Sequence, residues 1–310
     1  MIPEAQLETW CNQGATTIAQ AAHTSVRYAL ETSLNSPVRN KNLEIFLQGS
    51  YRNYTNIYAD SDVDIVVQLN GTFTYDLSLL QPAEQAAVTQ GWGTLTYPWH
   101  DFRTDVLETL RNYYGNASVR DGNKAINLVA APGRLSADII PAVQHRLYRP
   151  PARSILSSFV IPAPIGEPYF VEGISFWDKL NRQVINYPKR HIENGQNKNS
   201  DARTGGQYKP AVRMFKNARN KAMTDRLIAD TAAASYFVEC LLYNVPDNLF
   251  TPIRQQTMRG ILDWLRDADK TLFWCQNNTV FLFGETQEQW NTASADALID
   301  SYIKLWNRWT

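Results

Sequence analysis

The 310-residue chain has only three cysteines, Cys11, Cys240 and Cys275, and no C-x-x-C spacing. So sparse and odd a count argues against a disulfide framework and for reduced thiols in a cytoplasmic protein. Cys240 sits in an apolar run and reads as core filler. No apolar run approaches the roughly 18 residues of a membrane span. The start, Met1-Ile2-Pro3-Glu4, lacks the basic and apolar regions of a secretory signal. Neither charge sign is in excess, with Lys+Arg and Asp+Glu at 30 each. Proteins that grip long nucleic acid usually carry a basic surplus, so long nucleic acid is not the expected partner. A local basic groove stays open, because net charge hides asymmetry. Repeats and low-complexity tracts are also missing. What remains, 44% hydrophobic, 12% aromatic and 19% charged, fits a globular chain of one large domain or two lobes.

The distinctive chemistry concentrates in one stretch. Ile45-Phe46-Leu47 reads as a buried strand, Gly49-Ser50 opens a short helical or turn segment, and Asp62-Val63-Asp64 leads into a second strand, Ile65-Val66-Val67. Side chains alternate along a strand, so Asp62 and Asp64 share a face. Two close carboxylates repel each other and resist a dry sheet, a conflict that a divalent cation resolves. Paired Asp carboxylates suit Mg²⁺, which keeps waters and completes its shell with substrate phosphates. Gly49 lets backbone N–H groups approach a phosphate, the helical turn after it aims its positive end at an anion, and the Ser50 hydroxyl adds a donor. The plainer alternative is a β-turn beside a solvated acidic loop, since D-x-D recurs by chance. The Gly-Ser, the spacing and the apolar strand occurring together favour a site.

Gly-Ser followed by D-x-D on the next strand resembles the DNA polymerase β-like nucleotidyltransferase superfamily. The fuller wording, Gln48-Gly49-Ser50-Tyr51-Arg52-Asn53-Tyr54-Thr55-Asn56-Ile57 and then Asp60-Ser61-Asp62-Val63-Asp64, is similar to the bacterial cGAS/DncV-like nucleotidyltransferases of antiphage signalling. Among these it looks most like the CdnE branch, with matching segments from Leu43 to Asp247. The resemblance implies an α/β (α+β) fold, a mixed nucleotidyltransferase sheet with helices plus a helical second lobe. It implies nucleotidyl transfer with two Mg²⁺ ions (Mn²⁺ possible) and ATP, UTP or GTP as substrates. A cyclic oligonucleotide product, a product-sensing effector protein and a monomeric enzyme follow from the same resemblance. Asp62 and Asp64 would hold the metal on the triphosphate.

An acid inside the apolar run Ala137-Asp138-Ile139-Ile140-Pro141-Ala142 needs a partner. A salt bridge to an Arg is one answer; the resemblance makes Asp138 the third carboxylate and candidate base. His145 and Arg146 follow, and a lone His of this kind is expected to be structural. Arg213 and Lys216 share a helix face, by default a surface one. By resemblance, Lys216 binds the donor triphosphate, Ser235 reaches phosphate and Tyr236 stacks on the donor base, as an aromatic face does on any base. Core packing is the alternative for Tyr236.

The other expectations are coarser. Residues 4–34 read as one helix, 80–116 as helix interrupted between Gly91 and Pro98, and 125–130 and 135–143 as two strands. The proline-rich 150–168 reads as a connection between lobes 1–165 and 166–310. Residues 174–186 read as a helix, and 188–209 as a long polar loop. Its Lys189, Arg190, Lys198, Arg203 and Lys209 could meet phosphates, with solvated charge as the default. From 210 onward the pattern is helical, including 255–274 and 287–309, with Thr279 to Phe283 extended.

For base choice, Asn181 and Asn186 flank the expected 174–186 helix, and Gln48 lies on the Ser50 side of its strand. An amide offers a donor and an acceptor, as the uracil edge does. In CdnE-like enzymes that accept uridine, an asparagine past the third carboxylate plays this part. The resemblance therefore points to Asn181 or Asn186, and to UTP alone or with a purine; both asparagines capping helices is the alternative. Three rivals stay open: a template-independent RNA nucleotidyltransferase, a toxin-type nucleotidyltransferase and a non-catalytic nucleotide-binding protein.

Overall fold

In the computed structural model, the described residues are 1–14, 17–58, 62–150, 169–286 and 289–309. The expected interlobe connection, like Asp60 and Ser61 of the motif, lies outside them. The first strand, β1 (Leu43–Leu47), turns through the five-residue helix α3 (Gly49–Asn53) into β2 (Val63–Asp76). Helices α1 (Glu4–Cys11) and α2 (Thr17–Thr32) precede this unit. After it come α4 (Pro82–Thr89), α5 (Trp99–Tyr114), β3 (Val119–Asp121), β4 (Ile126–Leu128) and the long β5 (Ala137–Arg149). Then follow β6 (Tyr169–Trp177), β7 (Gln183–Asn186), α6 (Pro188–Lys198), α7 (Tyr208–Thr224), α8 (Ser235–Tyr243), α9 (Arg254–Asp267) and α10 (Thr292–Asn307).

The strands form one mixed sheet in the order β1-β2-β5-β4-β3, with β6 on β5 and β7 on β6. Among the described strands, only β2 and β5 pair in parallel. Their apolar residues are buried on both faces, as a central parallel pair requires. The parallel register sets Asp64 directly beside Asp138.

Apolar side chains gather in two large clusters. One lies between the sheet and helices α2 and α5, around Val66, Phe102 and Ile139. The other joins α1 to α7, α8, α9 and α10, around Leu7, Phe215 and Tyr302. These clusters do not follow a division at residue 165. Leu7 and Cys11 pack with the helices, whereas Ile174, Phe176 and Val184 belong with the sheet.

Three local expectations need correction. The helix over 4–34 is two helices: Gly14 donates its N–H to Asn56 O at 3.0 Å. A Cβ there would meet Ile57 O at 2.9 Å, so the chain must open to dock against this backbone. The helix over 174–186 is instead the β6–β7 hairpin. Its apolar residues suit either period, and the unpaired edge of β5 decides, because buried backbone groups need ladder partners. The loop over 188–209 contains α6, with Pro188 at its first turn and His191, Gly195 and Lys198 on one buried face. Its cations are held in ion pairs, Lys198 buried and the others partly exposed: Lys189 pairs with Glu44 and Glu172, while Lys198 and Arg203 pair with Asp247.

The two 80–116 helices, the strands around Asn127 and Asp138, and the late helices stand near their expected places. Residues 279–283 take part only in isolated bridges. All three cysteines are buried and free. Among the described residues, no helix is long and apolar enough to cross a membrane.

Candidate active site

The turn from β1 into α3 is shaped by Gly49. Its φ is +65°, and a Cβ there would lie 2.2 Å from Asp64 Oδ2. Only glycine therefore lets the α3 backbone lie against this carboxylate. The Gln48 N–H donates to Asp64 O at 2.9 Å, tying the start of the turn to β2. Asp62 stands exposed just before β2, where its Oδ1 accepts from the Ser136 hydroxyl. Asp138, half-buried on β5, accepts from Asn127 Nδ2.

Gln48, Gly49, Asp62 and Asp64 border a cavity of about 570 Å³ between the sheet and α6, α7 and α8. Gln48, Gly49, Ser50, Asp62 and Asp64 line one wall; Lys216, Ser235 and Tyr236 line the other; Asn186 lies at the end of β7. Nine of the eleven residues singled out from sequence thus face one space. Asp138 is outside its lining but next to Asp64 in register.

Asn181 does not reach this cavity. It occupies the tight β6–β7 turn at φ +59°, where the Asp178 carboxylate accepts from the N–H groups of Leu180 and Arg182. It borders a separate surface depression with Trp99 and Trp177. Of the two candidate asparagines, Asn186 alone lies at the nucleotide-sized cavity. Nor are the three carboxylates drawn into a finished ligand cluster. Among the described residues, no three of His, Cys, Asp and Glu stand close enough to hold a metal ion.

Lys216 is not on a surface face. It is wholly buried, with Nζ 2.6 Å from Glu239 Oε1 and 3.2 Å from Thr55 O. Arg213 is partly buried too and donates to the carbonyls of Cys11 and Tyr54. Glu239 also accepts from the Thr55 hydroxyl at 2.7 Å and meets His191 Nε2 at 3.1 Å. Burial would raise its pKa, but the Lys216 ammonium and His191 outweigh that and hold the carboxyl well below the usual range. The His191 ring stacks beneath Tyr236, with centroids 5.3 Å apart and planes 26° apart. Two buried polar atoms on cavity-lining residues, Asn53 Oδ1 and His191 Nδ1, have no hydrogen-bond partner among the described residues. Such atoms call for a ligand or water.

Sequence reasoning missed Asn53, Lys124, His191 and Glu239 on the cavity wall. Glu239 carried a usable signal: like Asp138, it is an acid inside an apolar run, Phe237-Val238-Glu239-Cys240-Leu241. His191 was hidden because its helix read as loop. His145 is structural, buried on β5 with Nδ1 2.9 Å from Thr74 Oγ1, and Arg146 lies over the Phe73 ring at 3.7 Å.

Comparison with known proteins bears on the chain as a whole. Residues 193–307 match the cGAS/DncV-like nucleotidyltransferase C-terminal helical domain. The chain is 41% identical over 312 residues to the cyclic UMP-AMP synthase of Rhodothermus marinus, covering 99% of each. It is 39% identical over 315 residues to the cyclic nucleotide synthase CdnE01 of Staphylococcus haemolyticus, again covering 99% of each. The solved structure of the Rhodothermus marinus CdnE c-UMP-AMP synthase with Apcpp and Upnpp superposes with a TM-score of 0.84. That match is 40% identical and covers 100% of this chain and 98% of the other.

Proposed function

Because this chain belongs to the CdnE cyclic nucleotide synthases of the cGAS/DncV-like nucleotidyltransferases, we propose that its cavity joins UTP and a purine NTP into a cyclic dinucleotide. The enzyme is a nucleotidyltransferase that makes its cyclic product from NTPs. The observation that carries the choice of bases is that Asn186 lines the same cavity as the aromatic ring of Tyr236. The donor base stacks on Tyr236, and the Asn186 amide pairs with the uracil edge by giving one hydrogen bond and taking one. Ser50, the backbone at Gly49 and Ser235 surround the triphosphate, with Lys216 supplying positive charge from behind.

The donor chemistry of Asp62, Asp64 and Asp138 fits a hard divalent cation. All offer oxygen ligands; Asp62 and Asp64 line the cavity, and Asp138 sits in register with Asp64 on the adjacent strand. We assign them two Mg²⁺ ions, which when bound would neutralise phosphate charge and lower the pKa of the attacking ribose hydroxyl. Asp138 takes the proton from that hydroxyl as its oxygen attacks the α-phosphorus in line and pyrophosphate departs. A second round on the linear intermediate closes the ring. We place the reaction in the bacterial cytoplasm, in antiphage signalling through an effector protein that senses the product, and expect a monomer.

Purified protein is incubated with Mg²⁺ and labelled NTPs, singly and in pairs, then treated with phosphatase. A phosphatase-resistant product that needs UTP is expected. Asp138→Ala should lower the rate by about 10²–10⁴-fold, the usual worth of a catalytic base. Full product from ATP and GTP with no uridine incorporated would overturn the uracil reading and leave the nucleotidyltransferase intact.

A further inference from the structure

Glu239 has no part in the chemistry above, yet among the described residues no other carboxylate lining the cavity is so enclosed. It is 3% exposed and lies in α8, one turn beyond Tyr236. Its two oxygens reach three separate elements. Oε1 takes the Lys216 ammonium of α7 and the hydroxyl of Thr55, which follows the phosphate-side helix α3. Oε2 meets His191 Nε2 of α6. A carboxylate held ionised can only accept, so Nε2 carries the proton and donates. The His191 ring is thereby pinned at one edge, and its face supports Tyr236.

A buried ion pair of this kind is weak grounds for stability, since desolvation can exceed the Coulombic gain. Apolar residues of similar size would pack the same volume at little or no cost. What the carboxylate does that an apolar group could not is hold two cavity-lining groups through one rigid atom set. On the donor-site reading, Lys216 serves the phosphate and Tyr236 the base, and both line the one cavity. We propose that Glu239 is a positioning residue that couples the phosphate and base ends of the donor site, so that occupying one end orders the other. The inference rests on reading Lys216 and Tyr236 as donor-site residues. Its consequence is that a complete NTP is recognised as a unit, more tightly than its separate parts would predict.

The test is a double-mutant cycle on the full chain. Non-hydrolysable ATP and UTP are each titrated with Mg²⁺ into the wild type, Lys216→Ala, Tyr236→Ala and the double variant. Each single change should weaken binding by roughly 5-fold or more, in keeping with a lost base stack or phosphate partner. The double variant should bind about 5–20-fold more tightly than the product of the two losses, as residues in one network do. Repeating the cycle with Glu239→Gln should bring the double variant to within about 2-fold of that product. Glu239→Gln leaves Lys216 buried without its anion and can fail to fold. His191→Phe then serves instead: it keeps the ring under Tyr236 and the Lys216–Glu239 pair but cuts the link, and coupling should again vanish. Losses that simply multiply in the wild type overturn the proposal, as does coupling that survives His191→Phe. Single variants that bind like wild type overturn the donor-site reading beneath it. A purely structural Glu239 would shift the melting temperature and leave the cycle unchanged.

Discussion

Gly49 shows how much of the site turns on one missing side chain. Its positive φ costs any other residue about 1–3 kcal/mol. A Cβ, moreover, would sit far inside van der Waals contact with Asp64 Oδ2 and push the carboxylate from its place. Gly49→Ala is therefore expected to lower turnover by about 100-fold or more while costing roughly 1–3 kcal/mol of stability, a loss too small to explain the rate. Steady-state turnover beside thermal melting checks this, and near-normal turnover would remove Asp64 from the mechanism. His145 makes a different statement at the same scale. Burial pushes its imidazole down to about 4 from 6.5. The folded state keeps it neutral, so the unfolded chain binds the extra proton first. Its contribution to stability is complete above pH 6.5 and is lost as pH falls toward 4, a drop of roughly 3 kcal/mol at about 1.4 per unit. Chemical denaturation between pH 7 and pH 4 should show this slope, and His145→Gln should flatten it.

The β6–β7 hairpin separates two asparagines that sequence could not rank. Asn181 takes the left-handed turn position that asparagine tolerates, and Asn186 ends β7 at the cavity. Asn181→Gly should be nearly neutral for both stability and product. Asn186→Ser should shift incorporation from UTP toward purines, read from the product of mixed-NTP incubations. A change of base with Asn181 and none with Asn186 would reverse the assignment. The hairpin looks helical in sequence because Trp177, Val184 and Ile185 satisfy both periods, and nothing local says that β5 has an open edge. The β1–α3–β2 unit was legible because its turn glycine, acids and β-branched run all point to the same geometry.

At the scale of the molecule, the buried Lys216–Glu239 pair lies where the helical lobe meets the segment after α3. Lys216→Met should cost roughly 3–5 kcal/mol, because it strands a buried carboxylate. Adding Glu239→Gln should recover most of that loss, since the amide oxygen still accepts from Thr55 or His191. NTP affinity should remain low in the double variant. Denaturant titration and calorimetry report the two quantities separately, and affinity returning along with stability would mean that Lys216 serves only the fold.

The sequence by itself determined the carboxylate-bearing wall of the cavity. Gly49, Ser50, Asp62 and Asp64 are close in the chain, so strand alternation and turn chemistry alone bring them together. It also marked Asp138, because an acid in an apolar strand is anomalous wherever that strand lies. Only the tertiary structure decided that β5 runs parallel to β2 and sets Asp138 beside Asp64, since register depends on partners far along the chain. Only the tertiary structure moved Lys216 from an apparent surface stripe into a buried pair. A helix shows its own faces in its sequence, but which face is covered depends on what packs against it, here Thr55 and Glu239.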